Sequence, residues 1–411
     1  MRILLSDGSG VTSRQCATVL SRAGHHVEVL SPDPLCLCAF TRHVRRVHRV
    51  PFYGADPYGW LETATGVYRK GGFDVLLPTQ EQVAVLARER GAGTATVVPP
   101  FAALAAVQDK VSAHATLARL GVPQPDSAVV RDLAEWDGYP AYVKRPIGTA
   151  SSGVRRLAGP GERLDGPWAG EPELLVQREV EGPLAMVQSV FDGGSQVAFH
   201  ACLRVREGAR GGAGHKLGVA LPEVREHVRA LGEGLGWHGA LSADVVLGAD
   251  GPVFIDVNPR LVEPVNALLS GVDLVTPLLD LALGRPVLPQ PAGTPGVRTH
   301  QVLLALLGAA ARGRGAVLAE LVDAVLRRGS YEGGTEELTP GYDPRAMALV
   351  AAAAGATLVR PGAWRWFTSG SVSAYALEPD GWRAIADPAR DDQPNRSRIA
   401  GSEVRTNPSE A

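Results

Sequence analysis

The sequence is poor in cysteine and has no excess of either charge, and each shortage excludes a class of function. Its four cysteines are Cys16, Cys36, Cys38 and Cys202, of which only Cys36 and Cys38 are clustered. No further cysteine or histidine pair completes the spacing of a zinc site, so we expect free cysteines in a reducing compartment. The formal net charge is −2 over 411 residues. This near-neutral balance gives no reason to expect a nucleic acid or a membrane as partner.

Long apolar runs are also lacking. The longest lie near 347–359, are rich in alanine and are interrupted by Gly355. A bilayer span needs about 20 consecutive apolar residues, and the opening MRILLSDGSG breaks into a turn too early for a signal peptide. We therefore predict a cytoplasmic location. The composition, 45% hydrophobic and 20% charged, is typical of a chain that folds into two or three globular domains.

Strand and helix patterns alternate in the first hundred residues. RILL indicates a strand, DGSG a turn, Thr12 to Ala23 a helix and HHVEVL a second strand, and FDVLLPTQEQVAVLARERG repeats this order. Such alternation predicts a parallel, doubly wound sheet. The first turn begins a GxGxxG pattern at Gly8 and Gly10, but Ser13 stands at the third glycine position. Ser31 ends the second strand where a dinucleotide fold needs an acidic residue, so a dinucleotide-dependent oxidoreductase is disfavoured.

Later segments indicate further elements. We predict helices from about Ala102 to Leu120, from about Pro222 to Leu235, and near 300–312 and 316–328. The aromatic sequence WRWF, after an alanine-rich segment, indicates a strand. From about Asp387 the chain is polar and poor in apolar residues, which predicts a disordered tail over 387–411.

Two segments that carry acidic residues, GALSADVV and VFIDVNPR, flank the turn sequence GADG. The turn predicts a hairpin, and an antiparallel pairing would set Asp244 near Asp256 and Asn258. Because side chains of a strand alternate between its faces, Asp256, Asn258 and Arg260 share one face. Two carboxylates and an amide oxygen are hard ligands that suit Mg²⁺. The alternative is an exposed hairpin whose polar residues face solvent.

A lysine and a loop of small residues occur together in YVKRPIGTASSGV. Lys144 ends a strand, and the loop from Gly148 to Gly153 follows it. Backbone N–H groups of such a loop can bind an anion, and a neighbouring lysine can neutralise phosphate charge. The GKS/T ending of a Walker A loop is absent. Lys110, in QDK, starts the helix before GVPQP. A flexible connection and an isolated surface lysine are the alternatives.

The order of these segments resembles that of the ATP-grasp superfamily: DK followed by GVPQP, then YVKRPIGTASSGV, LLVQREVEG, GALSAD and FIDVNPR. The resemblance is to the carboxylate–amine ligase type with a biotin-carboxylase-like N-terminal domain. It implies an α/β fold that begins with a Rossmann-like domain over 1–104. A two-subdomain α+β ATP-grasp domain would follow over 105–290, with a lid subdomain at about 111–182. A C-terminal α+β extension would occupy 291–386.

The resemblance also implies roles for individual residues. The residues implied to bind ATP are Lys110, Lys144, Gly148, Ser151, Ser152, Gly153, Gln177, Glu179, Val180 and Glu181. The implied metal ligands are Asp244, Asp256 and Asn258, which would hold two Mg²⁺ ions, a role that Mn²⁺ can also fill. Arg260 would stabilise the transferring phosphoryl group, because a planar guanidinium is always charged.

Two positions depart from the family pattern. Leu184 stands where many members carry a glutamate that binds the ribose, which leaves Glu179 or Glu181 as a substitute. Asp244 replaces the commoner glutamate at the first metal position, and its side chain is shorter.

Substrate contacts are expected on both sides of the hairpin. The loop REGARGGAGHK carries Arg206, Arg210, His215 and Lys216, and its positive charge predicts binding of a carboxylate or of the γ-phosphate. We expect Glu263 and Asn266 to bind a substrate amine. The alternatives are a solvated charged loop and capping of the helix that follows.

The resemblance implies a ligase that uses ATP and Mg²⁺. ATP would phosphorylate a small carboxylate, with an amino acid favoured, and an amine would then displace phosphate from the acyl phosphate. One alternative is a bicarbonate-using carboxylase of the biotin or purine type, which the lack of a carrier domain disfavours. The other is a non-catalytic ATP-binding module. The expected partners are small-molecule carboxylate and amine substrates, and a homodimer through the leading domain fits the family.

Overall fold

A computed structural model describes residues 1–168, 170–338 and 343–387, and its N-terminal part is a parallel sheet with helices. The strands are β1 (Arg2–Leu5), β2 (His26–Ser31), β3 (Val47–Arg49) and β4 (Val75–Leu77), and the helices are α1 (Val11–Arg22), α2 (Pro57–Gly71) and α3 (Val83–Arg88). The strand order is β3-β2-β1-β4, and each neighbouring pair is parallel. Ile3 and Leu5 are buried in one core and Leu4 in another, because alternate side chains of a strand face opposite sides. The predicted parallel sheet is confirmed, and its Rossmann-like classification stays a prediction.

The turn after β1 is closed by its own side chains. The Asp7 carboxylate accepts hydrogen bonds from the N–H groups of Ser9 (2.9 Å) and Gly10 (2.6 Å) and from the Ser13 hydroxyl (2.9 Å). A Cβ atom at Gly10 would lie 2.1 Å from the Gln80 side-chain nitrogen. The N–H groups of Ser9 and Gly10, which a phosphate could otherwise contact, are therefore already occupied by the Asp7 carboxylate.

The helix predicted from Ala102 to Leu120 is two helices, α4 (Phe101–Gln108) and α5 (Lys110–Arg119). Asp109 between them has extended backbone angles, and its side chain accepts hydrogen bonds from the N–H groups of Val111 (2.8 Å) and Ser112 (3.1 Å). An aspartate that caps a new helix start in this way competes with continuation of the previous helix. The prediction of one helix was wrong for this reason, and the break places Lys110 in the first turn of α5.

A second sheet of four strands follows. Its strands are β5 (Ser127–Val130), β6 (Ala141–Lys144), β7 (Val154–Leu157) and β8 (Leu174–Arg178). They pair antiparallel in the order β5-β8-β6-β7. Val143 of β6 and Val176 of β8 are fully buried in a small core of their own. The loop between β6 and β7 is the predicted glycine-rich loop.

The largest sheet has seven strands in the order β13-β12-β9-β10-β11-β14-β15. They are β9 (Leu184–Asp192), β10 (Ser195–Glu207), β11 (Ala213–Gly218), β12 (Gly239–Gly248), β13 (Gly251–Asn258), β14 (Arg298–His300) and β15 (Thr335–Glu336). The predicted helix from Pro222 to Leu235 is α6 (Pro222–Leu235), which buries Val224, Val228 and Leu231 against this sheet. Two short helices, α7 (Val265–Leu269) and α8 (Thr276–Ala282), follow β13.

The C-terminal part is mainly helical. Its helices are α9 (Val302–Arg312), α10 (Arg314–Leu326), α11 (Pro344–Val359), α12 (Trp364–Ser373) and α13 (Pro379–Ala386). The helices predicted near 300–312 and 316–328 are confirmed. The strand predicted at WRWF was wrong, since these residues form the first turn of α12. The tail predicted over 387–411 lies, apart from Asp387, outside the described residues.

The last described segment returns to the N-terminal sheet. Leu377 and Ile385 are buried in the same core as Leu4 and Trp60. The Glu378 N–H donates a hydrogen bond to the carbonyl oxygen of Gly54 (3.2 Å). The N-terminal core therefore contains side chains from both ends of the described chain. In the described ranges, no helix is both long enough and apolar enough to cross a membrane.

Candidate active site

The predicted acidic hairpin is present, and its register brings the expected ligands together. Strands β12 and β13 pair antiparallel with Asp244 opposite Asp256 and Ser242 opposite Asn258. The side-chain nitrogen of Asn258 lies 3.4 Å from Oδ2 of Asp256. Burial, with the charge of Asp256 adding to it, raises the pKa of Asp244 to about 7. The two carboxylates oppose each other's ionisation, and a cation bound between them would favour the ionised form of both.

The donor set of this hairpin fits a hard divalent cation. Its carboxylates and amide oxygen are the ligand types of Mg²⁺, which usually keeps several water or phosphate oxygens as its other ligands. Over the described ranges no cluster of three or more histidine, cysteine, aspartate and glutamate side chains is placed to hold a metal. The hairpin, with two carboxylates and one amide, therefore suits a metal shared with phosphate better than a metal held by protein alone.

Lys144 joins this hairpin to the second sheet. It is the last residue of β6, is 5% exposed, and its ammonium group donates to the carbonyl oxygen of Ile255, the neighbour of Asp256. Burial lowers its pKa to about 8, although Asp256 and Asp244 favour the charged form. Lys110 donates to the carbonyl oxygen of Gly148 (2.9 Å) at the start of the glycine-rich loop. Lys110 thus lies beside the glycine-rich loop, and Lys144 lies beside the acidic hairpin.

The loop from Gly148 to Gly153 has a defined shape. A Cβ atom at Gly148 would lie 3.0 Å from the Gly153 backbone, so the two ends of the loop touch. The Arg145 N–H donates to the Gly153 carbonyl oxygen (2.8 Å), and the Thr149 N–H donates to Ser152 Oγ (3.2 Å). Ser151 and Ser152 are exposed. The loop that follows Lys144 therefore presents polar atoms to solvent, as an anion-binding loop requires.

The residues predicted to bind the adenine and ribose lie at and beyond the end of β8. Gln177 is buried, and its amide donates to Ser127 Oγ (3.2 Å). The Glu179 carboxylate forms an ion pair with Arg156 (2.6 Å) and accepts a hydrogen bond from the Tyr142 hydroxyl (3.2 Å). Val180 is half-buried and Glu181 is exposed. Of the two candidate ribose ligands, Glu179 already has protein partners.

Arg260 and Glu263 line a cavity of about 420 Å³, which we call the central cavity. Ser9 and Thr12 of the N-terminal part, Ala150 of the glycine-rich loop and Arg210 line it as well. The Arg260 Nε atom lies 3.6 Å from a carboxylate oxygen of Glu81, and its side chain is 12% exposed. The central cavity therefore lies directly beyond the acidic hairpin, since Arg260 is two residues from Asn258.

Backbone strain is concentrated around this cavity. In the described ranges seven residues other than glycine have positive φ, and four are Ala150 (+50°), Ser151 (+62°), Arg210 (+53°) and Glu263 (+55°). Each such residue costs about 1 kcal/mol or more relative to ordinary backbone. Strained residues cluster at binding and catalytic sites more than elsewhere, so their position supports a functional role for this region.

The predicted substrate residues divide into two that line the central cavity, Arg210 and Glu263, and four that do not. Glu263 is 9% exposed and accepts hydrogen bonds from Lys216 and, at 2.5 Å, from Gln301. Lys216 also forms a buried ion pair with Glu337 (2.6 Å). The remaining residues have other partners: Arg206 pairs with Glu320, His215 packs between Tyr331 and His300, and Asn266 bonds with His200 and Thr299.

Several lining residues were not predicted. Gln80 and Thr12 come from the N-terminal part, and Leu303 and Phe367 from the C-terminal helices. No local motif marks them, because their common position depends on how three distant segments pack. Arg210 differs from them, because it lies in the predicted basic loop and lines the central cavity.

Part of the chain matches a known family model. Residues 107–264 match the family model of the ATP-grasp domain. The carbamoyl phosphate synthase large chain of Thermus thermophilus is 24% identical over 212 residues, which cover 46% of this chain and 20% of that protein. The chain thus spans about a fifth of the length of the curated relatives it matches.

Solved structures with a similar fold include two enzymes. A biotin carboxylase–β,γ-ATP complex from Campylobacter jejuni superposes with a TM-score of 0.57 at 16% identity, covering 72% of this chain and 74% of that chain. N5-carboxyaminoimidazole ribonucleotide synthetase from Thermotoga maritima superposes with a TM-score of 0.54 at 16% identity, covering 72% and 79%. At these identities the similarity shows the fold alone, which is a mixed α/β fold.

Proposed function

We propose, from the ATP-grasp domain that this chain carries at residues 107–264, that the protein is an ADP-forming carbon–nitrogen ligase. It would phosphorylate a small carboxylate, with an amino acid favoured, and join the acyl group to an amine. In the first step a carboxylate oxygen attacks the γ-phosphorus and ADP leaves. In the second step the amine nitrogen attacks the acyl carbon, phosphate leaves, and the nitrogen gives up a proton as the amide forms.

The observation that carries this proposal is the order of charged groups along one path. The acidic hairpin lies at one end, with Lys144 beside it, and Arg260 follows in the wall of the central cavity. Such an order suits a reaction in which phosphate charge is neutralised first and a bound acid receives the phosphoryl group next. A nucleophilic side chain is not required, because the carboxylate itself is the nucleophile.

The metal would be held by Asp244, Asp256 and Asn258, and we propose two Mg²⁺ ions, with Mn²⁺ as a substitute. When bound, Mg²⁺ neutralises phosphate oxygens and orients the γ-phosphoryl group. Lys110, Lys144 and the Gly148–Gly153 loop would bind the phosphates, and Gln177 to Glu181 the adenosine. Arg260 would hold the acid's carboxylate and stabilise the charge of the transferring phosphoryl group.

The size of the central cavity favours an organic acid over bicarbonate. Its volume of about 420 Å³ is in the range of cavities that hold small organic ligands, and far exceeds what bicarbonate needs. A bicarbonate-using carboxylase is therefore the second candidate. A cytoplasmic location stays a prediction from the lack of long apolar runs, and a homodimer stays a prediction from the resemblance.

The test is release of ADP and phosphate from Mg²⁺-ATP across a panel of amino acids, other small acids and bicarbonate, with hydroxylamine present. Acid-dependent ADP release with a hydroxamate product would support acyl-phosphate chemistry, because hydroxylamine traps the activated acyl group. Release that only bicarbonate stimulates would favour the carboxylase. ATP binding without turnover under all conditions would favour a non-catalytic module.

Variants of the hairpin test the site assignment. We expect Asp256→Asn and Arg260→Ala to lower ATP turnover at least about a hundredfold, since each removes a group that stabilises developing charge. The matched control is Asp250→Asn, an exposed carboxylate in the turn of the same hairpin, which should keep turnover within about twofold. Unchanged turnover in folded Asp256→Asn and Arg260→Ala proteins would contradict the assignment.

A further inference from the structure

Apolar side chains form much of the wall of the central cavity, and charged or polar side chains such as Asp33, Gln80, Thr368 and Ser371 also line it. We call the part of the wall formed by Arg210, Arg260 and Glu263 the polar end. Leu303 and Leu307 of α9, Leu349 of α11 and Phe367 of α12 contribute apolar wall, and Leu37 and Phe40 contribute more from the N-terminal part. Leu37, Leu349 and Phe367 pack around the buried Leu303 and Leu307 in one hydrophobic cluster. An apolar surface next to an arginine and a glutamate is unsuited to a small, fully polar substrate.

The polar end provides two opposite charges at fixed positions. The Arg260 side chain is mostly buried, and its guanidinium is held beside Glu81. Lys216 and Gln301 both contact Oε2 of Glu263, which leaves Oε1 available to a ligand as far as the described residues are concerned. A guanidinium can bind a carboxylate and a carboxylate can bind an ammonium group, so this end is complementary to the two charged groups of an α-amino acid.

We infer that the acid activated by this protein is an α-amino acid with a bulky apolar side chain, of the size of leucine or phenylalanine. This inference depends on the proposed ligase function and adds the substrate class to it. The amino acid's carboxylate lies at Arg260, within reach of the transferring phosphoryl group. Its ammonium group lies at Glu263, and its side chain fills the space between the C-terminal helices and Leu37. Transfer of that side chain from water supplies much of the binding.

The first test compares acids in the ADP-release assay with the wild-type protein. L-phenylalanine and L-leucine should have KM values at least about tenfold below those of glycine and L-glutamate, because burial of their side chains is favourable. The deaminated analogue 3-phenylpropanoate should also bind more weakly than L-phenylalanine, since it lacks the group that Glu263 contacts. Stimulation by glycine, L-glutamate or bicarbonate alone would overturn this inference and leave an ATP-dependent reaction intact.

The second test reduces the apolar space. Leu349 is half-buried on α11, and Leu349→Trp should raise the KM for L-phenylalanine about tenfold or more while the KM for ATP stays the same. The control is Leu318→Trp, at a leucine of α10 that is 53% exposed and does not line the cavity, which should change neither constant. Equal effects of the two variants, with both proteins folded by circular dichroism, would overturn the inference.

Calorimetric titration separates the two proposals. If no acid stimulates ADP release, the ligase proposal fails, and L-phenylalanine is titrated into the full chain directly. Heat of binding in the wild type that Leu349→Trp abolishes would retain the amino-acid site. Absence of binding in the wild type would overturn it.

Discussion

Replacement of Lys216 by methionine tests the buried ion pair that holds the polar end of the central cavity. The Lys216 ammonium lies between Glu263, which follows β13, and Glu337, which follows β15. Lys216 is 2% exposed and Glu337 is fully buried. Burial opposes the charge on Lys216, but the two carboxylates more than offset this and raise its pKa above the ordinary value. The lysine is therefore charged at neutral pH, and the cluster depends on that charge.

The expected loss of unfolding free energy follows from the contacts that would remain in the Lys216→Met protein. Glu337 would keep hydrogen bonds from Gln15 (2.7 Å) and Gln301 (2.9 Å), but two carboxylates would stay buried with no cation between them. Removal of one partner from a buried ion pair typically costs 3–5 kcal/mol of unfolding free energy, roughly a third or more of the stability of an ordinary domain. We therefore expect Lys216→Met to lower the free energy of unfolding by about 3 kcal/mol or more.

The assay is urea unfolding followed by circular dichroism, with the wild type and two further variants. The double variant Lys216→Met/Glu337→Gln should recover part of the loss, because one of the two unpaired charges is gone. Arg229→Met removes an ion pair with Glu226 and Glu233 on the exposed face of α6 and should have no measurable effect. A Lys216→Met protein as stable as the wild type would refute the reasoning, and so would a double variant less stable than the single one.

Three further predictions concern the loop, the buried lysine and acid stability. Gly148→Ala should raise the KM for ATP about tenfold, since its Cβ atom would lie 3.0 Å from the Gly153 backbone and the crowded loop must shift. Gly159→Ala, whose Cβ atom meets nothing within 4 Å, is the control and should leave the KM unchanged. ATP affinity measured by calorimetry should fall as the pH rises through about 8, because burial lowers the pKa of Lys144 to about 8 and the neutral amine no longer attracts phosphate. Lys144→Arg should remove that dependence, and an identical slope in this variant would contradict the assignment. The wild type should lose stability to urea below about pH 6.5, where unfolded histidine binds a proton. Burial lowers the pKa of folded His215 to about 3, so His215→Phe should show a smaller loss between pH 6.5 and 4, and an unchanged pH profile would count against this reading.

The parts of the site that depend on local pattern could be predicted from the sequence. The turn sequence GADG indicates the hairpin, and the structure contains it. Regular pairing from Gly248 opposite Gly251 would set Asp244 opposite Ile255, and a register shift between Asp244 and Val245 sets it opposite Asp256 instead. Lys144 at a strand end before a glycine-rich loop is equally local. The ATP-binding and metal-binding roles of these residues stay predictions, although their geometry agrees with them.

The parts that depend on long-range packing could not be predicted. The positive charge of the loop at 206–216 predicts contact with a ligand or with solvent. In the structure, however, Arg206 and Lys216 bind Glu320 and Glu337, which are more than 110 positions further along the chain. No local pattern indicates that these charges are neutralised inside the protein. WRWF favours a strand by its aromatic content, yet packing of α12 against α9 decides its conformation. Asp109 lies inside the helix predicted from Ala102 to Leu120, but in the structure its side chain caps the start of α5.

The return of residues 377–385 to the N-terminal core has a consequence for biosynthesis. Val98 and Leu377 belong to the same hydrophobic cluster, although roughly 280 residues separate them. At 5–20 residues per second, translation leaves this core without its last side chains for about 15 to 60 s. The N-terminal sheet must therefore emerge from the ribosome with an apolar surface exposed, and this core becomes complete only when α13 has emerged as well. Chaperone dependence of this protein should thus be greatest before α13 is synthesised.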